Sequence, residues 1–303
     1  MTTHEFTNVS PRMNIDSEPI DDETDSVHGL GWGPRIAIVT IATTATALTT
    51  VIVLLLGSTQ AGKASQTIKY HVGSPDLQEP SGLAPPDAKA IPGYTLAYAQ
   101  DFMGTSIPPG WFVFTGIPGG DPGGQFGRSH VVVSDGLLSL NAWKDPQYQN
   151  KWVTGGLCDC GHTQTYGLYF VRSRLTGAGP NEAQLLWPAS DVWPPEIDFN
   201  ETGGTDQSTS STVHFGKTNL IDQRSFRIDM KSWHTWGVEW TPTAINYLVD
   251  GRVWASVTNV NEIPNVPMRL DIEQRTKCHI GIECPKVPVS MLVDWVAEFS
   301  PNK

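Results

Sequence analysis

Beyond residue 93, hydrophobic and polar residues alternate with a period of two along most of the chain. Such runs occupy 94–102, 131–143, 166–175, 213–215, 235–240, 245–249, 252–257, 268–273 and 290–299, and Gly, Pro and Asp residues punctuate them. Successive side chains of a strand point to opposite faces, so each run predicts a strand with one face turned to a core. Val249-Asp250-Gly251-Arg252 carries the Asp-Gly pair of a tight hairpin. With no long helical period and no internal repeat, the pattern predicts an all-β, two-sheet sandwich over 93–303.

Upstream the pattern changes. Residues 1–35 hold Glu5, Asp16, Glu18, Asp21, Asp22, Glu23 and Asp25 against Arg12 and Arg35, with few apolar residues, and read as a disordered tail. No charged residue occurs in 36–62, and 36–57 is long enough to cross a bilayer as a helix. The expected element is an N-terminal transmembrane anchor, or a signal segment if it is cleaved near the small residues that follow. Residues 58–92, with Pro75, Pro80, Pro85, Pro86 and Pro92, read as an extended linker.

Composition narrows the function classes. The net charge of -11 argues against a nucleic-acid partner, which needs basic patches. The four cysteines, Cys158, Cys160, Cys278 and Cys284, all fall in the folded part. Cys-Asp-Cys is tighter than the usual Cys-x-x-Cys zinc knuckle, so two disulfides in an oxidising compartment are the reading, with three connectivities open. The domain is expected on the extracellular face of the membrane, or secreted if the leader is removed. Ten of the eleven tryptophans lie after residue 100, and indole faces stack on sugar rings as well as filling cores.

The chemistry concentrates in Glu196-Ile197-Asp198-Phe199-Asn200-Glu201, three carboxylates in six residues. On a strand Glu196 and Asp198 share a face, and Glu201 falls out of phase by one. A bulge, in which two residues of one strand oppose one of its partner, would return Glu201 to the carboxylate face. The glutamates would then stand about 13 Å apart along the backbone, and their carboxyl groups could approach to about 5–6 Å, the separation of a retaining glycosidase. Three like charges in one site retain at least one proton, and a general acid requires one. The assignment is Glu196 as nucleophile, Glu201 as acid/base and Asp198 as the partner that orients the nucleophile; a cation-binding or merely solvated acidic strand is the competing reading.

The Glu196-x-Asp198-x-x-Glu201 motif resembles the bulged catalytic signature of glycoside hydrolase family 16, of the laminarinase-like type. Segments beginning at Tyr166-Gly167-Leu168-Tyr169-Phe170-Val171-Arg172, Trp233-His234-Thr235-Trp236-Gly237-Val238-Glu239-Trp240 and Met291-Leu292-Val293-Asp294-Trp295 resemble the family's other strands, in family order, over roughly residues 94–300. The resemblance implies a concanavalin A-like β-jelly roll whose concave sheet forms an open cleft. It also implies retaining, endo-acting hydrolysis of a β-linked polysaccharide by a monomeric catalytic domain that needs no cofactor. The substrate expected from the resemblance is β-1,3-glucan or a related cell-wall glycan. A transglycosylase on the same glycans and a non-catalytic glycan-binding module are the alternatives, and the presence of both glutamates favours an enzyme.

The resemblance further implies His214 beside the acid/base, with Trp187, Trp193, Trp236 and Arg172 as candidate substrate contacts. Trp187-Pro188-Ala189-Ser190 departs from the aromatic pair that laminarinase-like members carry, and strand parity leaves Trp187 either in the cleft or in the core. Some members hold a structural calcium near positions resembling Asp101, Gly136 and Asp294.

Overall fold

The structure, a computed structural model, describes residues 68–303. The acidic tail over 1–35, the apolar segment over 36–57 and the first part of the linker lie outside the described residues. Within them no helix is long and apolar enough to cross a membrane.

The described chain is an antiparallel β-sandwich. In chain order the strands are β1 (Ser74–Pro75), β2 (Leu83–Ala84), β3 (Tyr94–Gln100), β4 (Trp111–Val113), β5 (Val131–Ser134), β6 (Leu137–Asp145), β7 (Lys151–Val153), β8 (Gly156–Asp159) and β9 (Gly167–Leu175). They continue as β10 (Asn181–Pro188), β11 (Glu196–Glu201), β12 (Ser208–Phe215), β13 (Leu220–Arg227), β14 (His234–Trp240), β15 (Ile245–Val249), β16 (Arg252–Val257), β17 (Met268–Arg275) and β18 (Val289–Pro301). One sheet has seven strands in the order β13-β12-β11-β10-β17-β8-β4. The other has nine, ordered β16-β15-β14-β9-β18-β6-β5, with β3 added to β18 and β7 to β6. Strand β13 escaped the sequence pattern because it is an edge strand, largely exposed and polar on both faces.

Alternation sorts each strand's residues between the inter-sheet core and the outside. Leu186, Ile197, Phe199, Val213, Leu270 and Ile272 of the seven-stranded sheet meet Tyr169, Val171, Trp236, Val238, Trp240 and Val293 of the other. Each such side chain contributes about 1.5–3 kcal/mol on burial. Trp236 therefore belongs to the core: it is 1% exposed and shares its face with Val238 and Trp240. The expectation that it contacts substrate is corrected.

The outward face of the nine-stranded sheet is apolar as well, and residues 68–92 cover it. Tyr70 and Ile91 pack with Leu168, Phe170, Leu248, Trp295, Ala297 and Phe299 in a second cluster. Polar contacts fasten this strap. The Lys69 and Tyr70 amides donate to the Gly251 carbonyl (2.8 and 3.1 Å), the Tyr70 hydroxyl donates to Glu239 Oε1 (2.6 Å), Lys69 pairs with Glu239, and Trp295 Nε1 donates to the Leu83 carbonyl (2.6 Å). Residues 68–92 are thus part of the folded unit rather than a free linker. Their prolines break any two-residue period, so spacer-like composition conceals the apolar anchors.

Arg172 is corrected on the same ground. It lies on the outward set of β9 with Leu168 and Phe170. There its Nε donates to Ser81 Oγ (2.5 Å) and its Nη1 to Thr235 Oγ1 (3.1 Å), binding the strap instead of a substrate.

The disulfides join neighbours, Cys158 to Cys160 and Cys278 to Cys284, with Cα separations of 5.1 and 4.7 Å. Each closes a short loop, so each restricts the unfolded chain less than a bridge between the two clusters would.

Candidate active site

Strand β11 lies between β10 and β12, and its register carries the expected bulge. Against β12, Glu196 pairs with His214, Asp198 with Thr212 and Glu201 with Ser210, so three steps on β11 match two on its partner. Against β10 the same shift appears between Gln184 and Leu185. Ile197 and Phe199 enter the core. Directly opposed residues share a face, so Glu196, Asp198 and Glu201 all project outward beside Leu185, Ala183, His214, Thr212 and Ser210.

Each carboxylate has its own partner. Trp193 Nε1 donates to Glu196 Oε2 (2.6 Å), and the indole tilts against the His214 ring at 5.8 Å between centroids. His214 Nε2 lies 3.3 Å from Asp198 Oδ2, while its Nδ1 bonds Asn219 Oδ1 at 2.8 Å. The expectation that His214 stands beside the acid/base is corrected: it opposes Glu196 on β12, whereas Glu201 opposes Ser210. Asn181 Nδ2 donates to Glu201 Oε1 (2.8 Å), and the Glu201 amide donates to Thr209 Oγ1 (3.0 Å).

Electrostatics divide the cluster. Burial, and then the Asp198 charge, push Glu196 up to about 8, against the opposing pull of His214 and Trp193. Burial also raises Asp198, against the hydrogen bond from His214. Burial alone would lower His214, but its hydrogen bond to and charge attraction by Asp198, with Asn219 and Glu196 adding, carry it up to about 9. Glu196 and Asp198 thus hold a proton between them beside an imidazolium, as two adjacent carboxyls must when both cannot ionise cheaply.

The parity of Trp187 is now settled. It shares the outward face of β10 with Leu185, opposes Arg269 on β17, and its Nε1 donates to Asp191 Oδ1 at 3.2 Å. The structure therefore brings together Glu196, Asp198, Glu201, His214, Trp193 and Trp187 on one sheet face, and places Trp236 and Arg172 elsewhere.

Several residues of this face were missed. Leu185 sits between Asp198 and Asp271. On β17, Arg269, Asp271, Glu273 and Arg275 all face outward, paired as Arg269–Asp271 (3.2 Å) and Arg275–Glu273 (2.6 Å). The signal was present: in Met268-Arg269-Leu270-Asp271-Ile272-Glu273 the charges alternate strictly with apolar residues.

Asp101, Gly136 and Asp294 lie away from this face, near the strap. Asp294 Oδ2 accepts from the Ser81 amide (3.1 Å), Asp294 Oδ1 and Glu79 Oε2 are buried without a hydrogen-bond partner, and Gly136 abuts Pro80. Among the described residues no group of three or more His, Cys, Asp or Glu side chains is gathered closely enough to hold a metal. The orphaned oxygens are hard donors of the kind calcium takes, with backbone carbonyls completing such a shell.

The family model for Glycosyl hydrolases family 16 matches residues 124–275, about half of the chain. The chain belongs to this family. Among curated relatives, the Glucan endo-1,3-beta-glucosidase A1 of Niallia circulans is 27% identical over 223 residues, covering 61% of this chain and 33% of that protein. The Endo-1,3-1,4-beta-glycanase ExsH of Rhizobium meliloti (strain 1021) is 36% identical over 92 residues, 29% of this chain and 20% of its own length. The chain thus spans about a third or less of the length of these relatives. Among solved structures, the laminarinase from Rhodothermus marinus superposes with a TM-score of 0.62 at 21% identity, covering 69% of this chain and 98% of that one. That likeness shows the shared β-sandwich fold.

Proposed function

We propose that this protein is a retaining, endo-acting glycosidase that cleaves β-1,3-glucan or a related cell-wall glycan by double displacement. The observation that carries the reading is the bulged β11, which turns Glu196, Asp198 and Glu201 to the outward face and gives each a different partner. Relatives named as endo-1,3-beta-glucosidases and endo-1,3-1,4-beta-glycanases support the substrate class.

In the first step a Glu196 oxygen bonds to the anomeric carbon as the glycosidic C–O bond breaks, and Glu201 gives its proton to the departing oxygen. In the second, water attacks the same carbon, Glu201 takes the water's proton, and the bond to Glu196 breaks. Trp193 donates to Glu196 Oε2 and so fixes the orientation of the attacking carboxyl group. Attack needs Glu196 ionised, so loss of the proton it shares with Asp198 sets the acid limb of the pH–rate profile, and the positive His214 favours that loss. Trp187 and Trp193 are the candidate sugar platforms.

Calcium held by Asp101, Asp294 and neighbouring backbone oxygens would have a structural part, joining the strap to the sandwich. Residues 36–57 would anchor the domain at the extracellular face of the membrane, or release it there if cleaved, and the catalytic domain would act as a monomer.

Glu196→Gln and Glu201→Gln test the assignment. Each should lower kcat on laminarin by at least about 100-fold with the circular-dichroism spectrum unchanged; full activity in either variant would defeat it.

A further inference from the structure

We infer that Asn181 is a positioning residue that selects which oxygen of Glu201 carries the catalytic proton, an inference that rests on Glu201 being the acid/base. Asn181 opens β10 on the same outward face as Ala183, Leu185 and Trp187, and it is 8% exposed. Its amide spans two groups. Oδ1 accepts from the Gly203 amide at 2.8 Å, and Nδ2 donates to Glu201 Oε1 at 2.8 Å.

The orientation of this amide follows from its neighbours. A backbone N–H can only donate, so the atom facing Gly203 must be the oxygen, and the NH2 group must face Glu201. Gly203 is itself held where the chain leaves β11: its φ is +58°, and the adjacent Thr202 amide donates to the Glu182 carbonyl at 3.1 Å. Thr209, from β12, takes the Glu201 amide. The acid/base is therefore gripped by its backbone from one neighbouring strand and by its side chain from the other.

A donor aimed at Oε1 has a chemical consequence. The NH2 group has no lone pair to offer, so a proton on Oε1 would find no acceptor there. The proton of Glu201 is thereby confined to Oε2. In the first displacement Oε2 passes it to the glycosidic oxygen as the C–O bond breaks and Glu196 bonds to carbon. In the second, Oε2 receives a proton from the attacking water as the Glu196 ester is released. Asn181 touches no reacting atom; it acts by fixing the carboxyl plane and the oxygen in use.

The alternative is that Asn181 merely ties down the β10–β11 connection through Gly203, and leaving-group dependence separates the two roles. Asn181→Asp keeps an oxygen for Gly203 and changes the atom facing Glu201, whereas Asn181→Ala removes both contacts. Both variants should lose about 10- to 100-fold in kcat on laminarin, the cost of misplacing one catalytic group, with KM changed less than about twofold. On 2,4-dinitrophenyl β-laminaribioside, whose leaving group departs without a proton, the burst of dinitrophenolate should stay within about threefold of the parent enzyme. Equal losses on both substrates, or an Asn181→Asp variant with full laminarin activity, would overturn the proposal, and thermal melting identifies a variant that has not folded. Glu201→Gln is the companion measurement: it must show the same split, and Asn181→Asp must add nothing to it. A fully active Glu201→Gln would show instead that the acid/base reading had failed.

Discussion

The two sheets share one core, yet their outward faces have opposite fates. Outside the nine-stranded sheet, Leu168, Phe170, Leu248, Trp295, Ala297 and Phe299 form an apolar surface that residues 68–92 cover. Outside the seven-stranded sheet, Glu196, Asp198, Glu201, His214, Arg269, Asp271, Glu273 and Arg275 form a charged face, and among the described residues no comparable strap runs over it. Burying carboxylates is costly unless hydrogen bonds or opposite charges compensate, and nearly every carboxylate on this face has a dedicated partner. One face thus contributes stability and the other chemistry, so substitutions on the two faces should separate in their effects.

The largest separation is expected at the carboxylates. Glu201→Gln should reduce kcat on laminarin by about 10²- to 10⁴-fold, Glu196→Gln by more, and neither should lower the denaturation midpoint measurably. Next comes the strap. Trp295 is fully buried beneath it and bonded to the Leu83 carbonyl, so Trp295→Ala should cost about 3–5 kcal/mol of stability in urea titrations. The folded fraction should keep its kcat, and a variant that loses activity without stability would break the division.

Arg172→Leu is a finer probe, because the family resemblance had placed Arg172 with the substrate. Losing its bonds to Ser81 and Thr235 should cost about 1–3 kcal/mol, while KM for laminarin stays within about twofold. A large rise in KM would return Arg172 to the site.

The smallest effect is a displacement in pH. His214, positive at neutral pH, favours ionisation of Glu196 and Asp198. His214→Ala should therefore move the acid limb of kcat/KM to higher pH, and a downward move would contradict the charge assignment. Stability should follow the same protons. Glu196, raised from 4.5 to about 8, and His214, raised from 6.5 to about 9, both bind protons more tightly folded than unfolded. Their contribution is complete below the unfolded values and is lost as pH rises through the folded ones. Melting temperature should then fall between roughly pH 5 and 9, and Glu196→Gln with His214→Ala should flatten that slope.

Much of this was legible in the chain. The three-residue step from Asp198 to Glu201 implied a bulge, since only an extra residue returns both to one face, and β11 carries it. Alternation likewise implied the sandwich. What alternation does not reveal is which of two apolar sets faces the partner sheet. In Leu168-Tyr169-Phe170-Val171-Arg172 both sets are apolar, and only the strap's presence shows that Arg172 stands outside. Trp236 failed for the same reason, its stripe being read without a fixed core side. Asn181 was invisible because its role depends on Gly203 and Glu201, which the chain brings to it only through the β10–β11 pairing.

The division between the faces rests on Glu196 and Glu201 forming a retaining pair. Proton NMR of laminarin digestion, recorded before mutarotation, reads the anomeric configuration of the first reducing ends directly. Double displacement at Glu196 requires that they appear as the β-anomer and convert slowly to the equilibrium mixture. Initial appearance of the α-anomer would mean single displacement by water, and the outward face of β11 would then require a different mechanism.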